Sequence, residues 1–198
     1  MCAENIFVDE LSIEPCHKTM TMTFQKGLNY LKGQNGSGKT MLLDYVAGIR
    51  NDQKQRISGN ENIVYINQNI FFADRLTGTD FVKFVYRLDN KSREREKFFE
   101  FTEKFDIDKK VDVKTLMEKQ WGLLSGGERK YLYSMVLLSL DREWYILDEP
   151  FAYLDTEKKE ILWKVIEAFA SEGKGIILTS HEEDSRINGN DIHVINLD

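Results

Sequence analysis

A glycine-rich loop at residues 33–40, GQNGSGKT, carries the strongest chemical signal in the chain. Its glycines let the main chain approach a ligand closely, so successive backbone N–H groups can point at one anion. Lys39 adds a positive charge, and a helix starting here would add the positive end of its dipole. Together these groups suit a polyphosphate. The apolar runs at residues 28–31 and 41–46 predict the strand that enters this phosphate loop and the helix that leaves it.

Two adjacent carboxylates, Asp148 and Glu149, end the apolar run at residues 144–147. Such a run predicts a buried strand, and open α/β sheets bind ligands at the carboxyl ends of their strands. We therefore expect both acids beside the phosphates. Asp148 would help to hold Mg²⁺, and Glu149 would orient or deprotonate the attacking water. The alternative is a strand whose exit carries solvated acids.

A third motif, LSGGER at residues 124–129, lies between the first two. It places a serine hydroxyl and glycine N–H groups at the start of a predicted helix, which forms a ready anion site. Taken alone, Ser125 could equally be a plain helix cap after a glycine turn. The order and spacing of all three motifs resemble those of ABC-type ATPases, which are P-loop NTPases, over essentially the whole chain. In that family residues 124–129 are the signature sequence.

The resemblance implies ATP and Mg²⁺ as cofactors. The residues expected to hold ATP within one chain are Asn35, Gly36, Ser37, Gly38, Lys39, Thr40 and Met41. Lys39 would reach the β- and γ-phosphates, and the Thr40 hydroxyl would bind Mg²⁺. The other expected metal ligands are Asp148 and Gln68. The residues expected to contact the ATP of a second subunit are Ser125, Gly126, Gly127 and Asp155. The expected catalytic residues are Lys39, Gln68, Glu149 and His181.

Three of these assignments rest on the order in which the family's landmarks follow one another along the chain. Gln68 follows the strand at residues 63–66 and resembles the Q-loop glutamine, which senses Mg²⁺ and touches the helical subdomain. Asp155 resembles the D-loop acid that reaches a partner subunit, with capping of the next helix as the alternative. His181 follows the strand at residues 175–179 and resembles the switch histidine, which contacts the γ-phosphate and supports Glu149. A purely structural histidine is the alternative there.

Two features depart from the family's usual pattern. At the position of Glu128 the family's signature usually has glutamine, whereas this chain has glutamate. An acid near another subunit's nucleotide is expected to weaken ATP binding. Family members also usually stack an aromatic side chain on adenine, and none occurs between Val8 and Thr23. His17 and Leu11 are the poor substitutes there, so loose base discrimination is expected.

The predicted elements form an α/β fold with a P-loop NTPase core, an N-terminal antiparallel β subdomain and an inserted α-helical subdomain that carries the signature. A chain of 198 residues favours one domain over the range 1–198. We place the β subdomain at about residues 1–32, the core at 33–73 and 141–198, and the helical subdomain at about 74–140.

Charge and hydropathy limit the partners. A net charge of −6 argues against nucleic acid, because phosphate-backbone binding usually requires excess Lys and Arg. No run approaches the roughly 20 apolar residues that cross a bilayer, so we expect any membrane role to depend on a partner. The aromatic-rich segment at residues 71–86 suits a groove that grips a partner's helix, although these side chains could instead be core.

The leading hypothesis is an ATPase subunit that powers a separate membrane permease, an exporter of a small molecule or peptide. The resemblance implies a head-to-tail dimer, with a homodimer expected, located in the cytoplasm and peripheral on the inner face of the cell membrane through the permease. The alternatives are a soluble ABC-type ATPase in cofactor assembly and a nucleotide-dependent regulator with little turnover. Glu128 and the missing adenine stacker motivate the regulator.

Overall fold

The computed structural model describes residues 5–14, 17–89, 94–180, 185–188 and 192–198. These residues form two compact units. The first, which we call the sheet unit, contains the described residues of Met1–Asn67, Arg142–Pro150 and Ile166–Asp198. The second, the helical unit, contains the described residues of Gln68–Asp141 and Phe151–Val165.

Strands make up most of the sheet unit. Its strands are β1 (Ile6–Ile13), β2 (Lys18–Phe24), β3 (Gly27–Lys32), β4 (Ile57–Ser58), β5 (Ile63–Ile66), β6 (Trp144–Asp148), β7 (Gly175–Thr179) and β8 (Ile192–Asn196). Helix α1 (Lys39–Val46) lies between β3 and β4, and short 3₁₀ turns occupy Lys54–Arg56 and Ser185–Asn188. Strands β2, β1 and β4 pair antiparallel in that spatial order.

The other five strands form a parallel sheet in the order β5-β6-β7-β3-β8. Strands β6 and β7 are buried along their whole length, as expected for central parallel strands covered on both faces. The phosphate loop follows β3, and the two acids lie at the end of β6. Parallel strands end at the same edge of a sheet, so this topology brings the first two motifs to one edge. The predicted α/β class with antiparallel and parallel β elements is confirmed.

One hydrophobic core holds that edge in place. Helix α1 contributes Leu42, Leu43 and Val46, which are fully buried. They belong to a cluster that also includes Leu31 of β3 and side chains of β1, β6 and β7. Burying a side chain of this size contributes about 1.5–3 kcal/mol. The loop between β3 and α1 is therefore anchored at both ends by core residues.

The helical unit contains most of the helices. They are α2 (Gly78–Leu88), α3 (Glu94–Phe105), α4 (Val113–Glu118), α5 (Gly126–Leu138) and the first part of α6 (Thr156–Ser171). A 3₁₀ turn at Trp121–Leu123 precedes α5. Both α2 and α5 begin with a capping box, in which the N-cap hydroxyl and the N3 carboxylate satisfy each other's backbone N–H groups. No helix in the described ranges is long and apolar enough to cross a bilayer.

Aromatic side chains pack the helical unit. Trp121 is buried, with ring centroids 5.4 Å from Phe72 and 4.8 Å from Phe81. Phe81 in turn stacks on Tyr133 at 5.8 Å. Such pairs contribute about 0.5–1.5 kcal/mol beyond the area they bury. This cluster fixes the chain that leads from the 3₁₀ turn into the signature.

Candidate functional site

The phosphate loop connects β3 to α1 in the sheet unit. Gly36 and Gly38 have φ angles of 81° and 96°, in the left-handed region that favours glycine. A Cβ on Gly33 would lie 2.5 Å from the Ser37 Oγ. The path of the loop therefore depends on the backbone angles of Gly36 and Gly38, while Gly33 packs closely against Ser37.

Lys39 and Ser37 direct polar groups at this loop. The Lys39 ammonium is mostly buried and donates to the carbonyl oxygens of Gly33 at 2.5 Å and Gln34 at 2.9 Å. The Ser37 Oγ is buried and has no hydrogen-bond partner among the described residues. Buried hydroxyls normally have a hydrogen-bond partner. A phosphate oxygen bound in this loop would supply the partner that the Ser37 hydroxyl lacks.

The predicted metal ligands Thr40 and Asp148 lie together. The Thr40 Oγ1 donates to the Asp148 Oδ2 at 2.9 Å. Asp148 is buried at the end of β6, whereas Thr40 is exposed at the start of α1. A hydroxyl and one carboxylate are oxygen donors of the kind that Mg²⁺ takes alongside phosphate oxygens and water. Within the described residues no group of three or more His, Cys, Asp or Glu could hold a metal ion.

A residue that the sequence did not indicate, Thr179, joins the two acids. It is fully buried at the end of β7, directly across the sheet from Asp148. Its Oγ1 donates to the Asp148 Oδ1 at 2.6 Å and accepts the Glu149 backbone N–H at 2.9 Å. Glu149 has a φ of 50°, which a residue with a side chain adopts only at a cost of about 1–3 kcal/mol. The strand-end position of Thr179 is the signal that could have found it.

The signature lies in the helical unit, at the start of α5. The Ser125 Oγ accepts the Glu128 N–H at 3.1 Å, and the Glu128 Oε2 accepts the Ser125 N–H at 2.8 Å. Helix geometry leaves the N–H groups of Gly126 and Gly127 without carbonyl partners one turn earlier. The Ser125 hydroxyl hydrogen is not used by this cap. The arrangement can therefore offer three donors to an anion.

Glu128 is paired rather than isolated. The Lys119 ammonium donates to its Oε1 at 2.8 Å. The hydrogen bonds from Lys119 and from the Ser125 backbone hold the pKa of Glu128 below its ordinary value, although partial burial opposes them. The departure from glutamine thus comes with a compensating cation that sequence spacing did not reveal.

The predicted D-loop packs on the signature within the helical unit. A Cβ on Gly127 would lie 2.5 Å from the Tyr153 carbonyl oxygen, and Tyr153 has a φ of 68°. Asp155 caps α6: its Oδ1 accepts the Lys158 N–H at 2.9 Å, and its Oδ2 pairs with the Lys158 ammonium. Burial raises the pKa of Asp155, but the hydrogen bonds and charge of Lys158 outweigh it and leave that pKa lowered.

The structure assigns the predicted residues to the two units. Those in the sheet unit are Asn35, Gly36, Ser37, Gly38, Lys39, Thr40, Met41, Asp148 and Glu149. Those in the helical unit are Gln68, Ser125, Gly126, Gly127 and Asp155. Thr40 and Asp148 are brought into contact, and Gln68 is exposed. His181 lies outside the described residues.

Comparison with known proteins finds relatives of this chain. The sequence profile of the ABC transporter family matches residues 17–152. The cytochrome c biogenesis ATP-binding export protein CcmA of Haemophilus influenzae is 27% identical over 179 residues, which cover 84% of this chain and 82% of CcmA. An ABC transporter ATP-binding protein of Clostridium tetani is 29% identical over 167 residues. Those residues cover 77% of this chain and only 36% of that protein.

Solved structures share the fold. The dimeric structure of MJ0796, a bacterial ABC transporter cassette, superposes with a TM-score of 0.75 and 14% identity, covering 97% of this chain and 94% of MJ0796. The profile match begins just before β2 and runs through the phosphate loop, the signature and both acids. Because it spans more than half of the sequence, the chain belongs to the ABC transporter family as one of its ABC-type ATPases.

Proposed function

We propose that this chain binds ATP with Mg²⁺, hydrolyses it as a head-to-tail dimer, and thereby powers a separate membrane permease that exports a small molecule or peptide. The observation that carries the proposal is the 2.9 Å contact between Thr40 and Asp148 at the base of the phosphate loop, with Glu149 next in the chain. In this proposal the chain is cytoplasmic and peripheral on the inner face of the membrane.

The phosphate loop would bind the nucleotide. Its backbone N–H groups face the phosphates, the Lys39 ammonium pairs with the β- and γ-phosphates, and the orphaned Ser37 hydroxyl donates to a phosphate oxygen. Asn35 and Met41 flank these groups in the loop and in α1. Thr40 and Asp148 would hold Mg²⁺, which would supply positive charge to offset the negative charge that develops during phosphoryl transfer.

Glu149 would position the attacking water. Its backbone is held by Thr179 beside the metal ligand Asp148, so its carboxylate starts from a defined place. A carboxylate there can orient the water or accept its proton. As the resemblance implies, we further propose that Gln68 contributes to Mg²⁺ binding and that His181 contacts the γ-phosphate. Positioning and charge stabilisation carry most of the rate in this chemistry.

The signature would complete the site of a second copy. Ser125, Gly126 and Gly127 offer hydroxyl and backbone donors at the positive end of α5, which suits the γ-phosphate of ATP bound to another chain. Asp155 would contact that chain as well. The dimeric cassette among the structural relatives supports this arrangement. Two identical chains would then form two complete sites.

A surface on the helical unit suits the permease. Its exposed apolar side chains are Phe71, Leu76, Phe84, Leu88 and Leu123. Phe71 is 89% exposed and Leu88 70% exposed, and the Phe84 ring lies 6.0 Å from that of Phe72. Exposed aromatic and aliphatic groups of this kind mark contacts with partners. Export rather than import is proposed because the chain spans most of the length of CcmA, an export protein by name.

The dimer is tested with Glu149→Gln. The amide keeps the size of the side chain but accepts no proton, so bound ATP should persist and hold two chains together. With ATP and Mg²⁺, size-exclusion chromatography should show a dimer, and Glu149→Gln combined with Lys39→Ala should stay monomeric. A monomer that nevertheless retains ATP would show that either the dimer or the role of Glu149 is wrong.

Turnover separates this proposal from a nucleotide-dependent regulator. The wild-type chain should release phosphate from ATP at a rate that falls at least about 100-fold in Glu149→Gln, as expected when a positioned base is lost. If the wild-type chain binds ATP but releases no phosphate above background, the regulator replaces the ATPase as the function of this site.

A further inference from the structure

Lys119 lies outside every motif that the sequence singled out, yet its ammonium contacts the signature. Its Nζ is 2.8 Å from the Glu128 Oε1. The side chain of Glu128 is 23% exposed and that of Lys119 is 39% exposed, so water screens the pair only in part. The other carboxylate oxygen of Glu128 accepts the Ser125 N–H. Both oxygens of this acid are therefore engaged.

The backbone fixes Lys119 in place. It is the C-cap of α4, and its carbonyl oxygen accepts the Gly78 N–H at 3.1 Å. Two residues later, the Trp121 N–H donates to the Leu76 carbonyl at 2.7 Å. Gln120 between them forms a bridge with Thr77. The ammonium thus reaches α5 from a segment tied to the start of α2, and less backbone freedom is lost on pairing than from a free loop.

The charge of Glu128 matters because of where it lies. A carboxylate in the first turn of α5 is close to the free N–H groups of Gly126 and Gly127. It competes with any second anion for the positive end of the helix dipole, and it repels that anion directly. A glutamate carboxyl is ionised at neutral pH. The hydrogen bonds from Lys119 and from the Ser125 backbone hold the pKa of Glu128 lower still, so a cation is needed to neutralise its charge.

We infer that Lys119 is a positioning residue that neutralises Glu128 and holds it in the helix cap, so that a signature ending in an acid can accept the phosphates of ATP from a second copy of this chain. The inference rests on the proposed dimer. The inference goes beyond the proposed dimer because it names Lys119, a residue outside the signature, as one that a signature with Glu128 depends on. A glutamine at position 128 would keep the cap without the charge, and Lys119 would then be dispensable.

A double-mutant comparison tests the inference. In the Glu149→Gln protein, four full-length variants are compared: no further change, Lys119→Met, Glu128→Gln, and both together. The measurement is the ATP concentration that gives half-maximal dimer at fixed Mg²⁺. Lys119→Met should raise this concentration at least about 10-fold when Glu128 is present, and less than about 2-fold when Gln replaces it. Lys119→Arg should behave like the protein without further change, and Glu128→Gln alone should dimerise at the same or lower ATP concentration.

Thermal unfolding of the four monomers separates a structural effect from an effect on the signature. If Lys119→Met does not fold, Lys119→Gln supplies the same comparison with a polar side chain. The inference would be overturned if Lys119→Met raised the half-maximal ATP concentration equally with Glu and with Gln at position 128. It would also be overturned if Lys119→Met raised that concentration with neither residue. If the Glu149→Gln protein itself binds ATP but never dimerises, the proposed dimer fails and this inference fails with it.

Discussion

The hydroxyl of Thr179 holds both acids of the site at once. A hydroxyl has one hydrogen and two lone pairs, so it can donate to Asp148 while it accepts the Glu149 N–H. These two hydrogen bonds at one oxygen hold the Asp148 carboxylate, proposed as a metal ligand, next to the backbone of Glu149, proposed to position water. It also helps to maintain the left-handed backbone of Glu149, which stores strain beside the site.

Thr179→Val is expected to lower kcat for ATP hydrolysis about 10- to 100-fold, because both acids lose their common anchor while the valine fills the same space. KM for ATP should change little, since the phosphate loop is untouched. Thr179→Ser keeps the hydroxyl and should retain most of the activity. Steady-state phosphate release measures both. Equal activity of the Val and Ser variants would show that the hydroxyl does not position the acids.

The two adjacent glycines at the start of α5 differ in the space that their surroundings leave for a side chain. A Cβ on Gly127 would meet the Tyr153 carbonyl at 2.5 Å, whereas a Cβ on Gly126 would have no described atom within 4 Å. Gly127 is therefore required by the packing of the D-loop on the signature. No contact within the described residues requires glycine at position 126.

Gly127→Ala should destabilise the monomer by about 1–3 kcal/mol, because the Tyr153 backbone must move. In a chain of this size that lowers Tm by about 2–12 °C. Gly126→Ala is the matched control and should leave Tm unchanged or slightly higher, because alanine favours the helix. Thermal unfolding followed by circular dichroism measures both. If the two variants melt together, the contact with Tyr153 does not constrain Gly127.

Tyr131, also on α5, buries a hydroxyl that has no hydrogen-bond partner among the described residues. Burial raises the pKa of Tyr131, and the charges of Asp106 and Asp155 raise it further. In the unfolded chain the phenol loses its proton near pH 10, while in the folded chain it keeps it. The free energy of unfolding therefore falls as the pH rises above about 10, because only the unfolded chain gains by ionising.

Tyr131→Phe removes an unsatisfied polar atom and should raise the free energy of unfolding by about 1 kcal/mol at neutral pH. It should also lose less stability than the wild type between about pH 9 and pH 11. Tyr86→Phe is the contrasting control, since the Tyr86 hydroxyl bonds Ser139 at 2.8 Å and its loss should destabilise. Urea unfolding at several pH values provides the measurement. Destabilisation by Tyr131→Phe at neutral pH would contradict the argument.

At the scale of the whole molecule, the two units present different surfaces. The sheet unit carries the phosphate loop and both acids, and the helical unit carries the signature and the exposed apolar side chains around Phe84. If ATP binding is to drive a second protein, the partner must contact a surface that the chain itself leaves uncovered. The surface formed by Phe71, Phe84 and Leu88 meets that condition.

Phe84→Ser is expected to abolish copurification of a polytopic membrane protein with a tagged chain from native membranes in mild detergent, while ATPase activity of the isolated chain stays unchanged. Phe84 is half exposed, so its loss should cost little stability. Ile107→Ser, at a 79% exposed side chain of the same unit, is the matched control and should preserve copurification. Recovery of only soluble partners with the wild-type chain would favour a role in cofactor assembly.

The sequence by itself predicted the fold class and the family, which are confirmed, and the chemistry of the site, which stays a prediction. A phosphate loop needs glycine, lysine and threonine at fixed spacing, and the paired acids need a buried strand before them, so these features are local and can be recognised in one dimension. The predicted strands at residues 63–66 and 175–179 coincide with β5 and β7 for the same reason, since short apolar runs predict buried strands. The family followed from the order of the motifs.

Only the tertiary structure decided how those residues are supported. Thr179 meets Asp148 because β6 and β7 pair in one register, and that pairing joins residues far apart in sequence. Lys119 meets Glu128 because the backbone ties the end of α4 to the start of α2. Gly127 is constrained by the Tyr153 carbonyl, which arrives from another segment. Each depends on long-range packing, which leaves no periodic or local signal in the sequence.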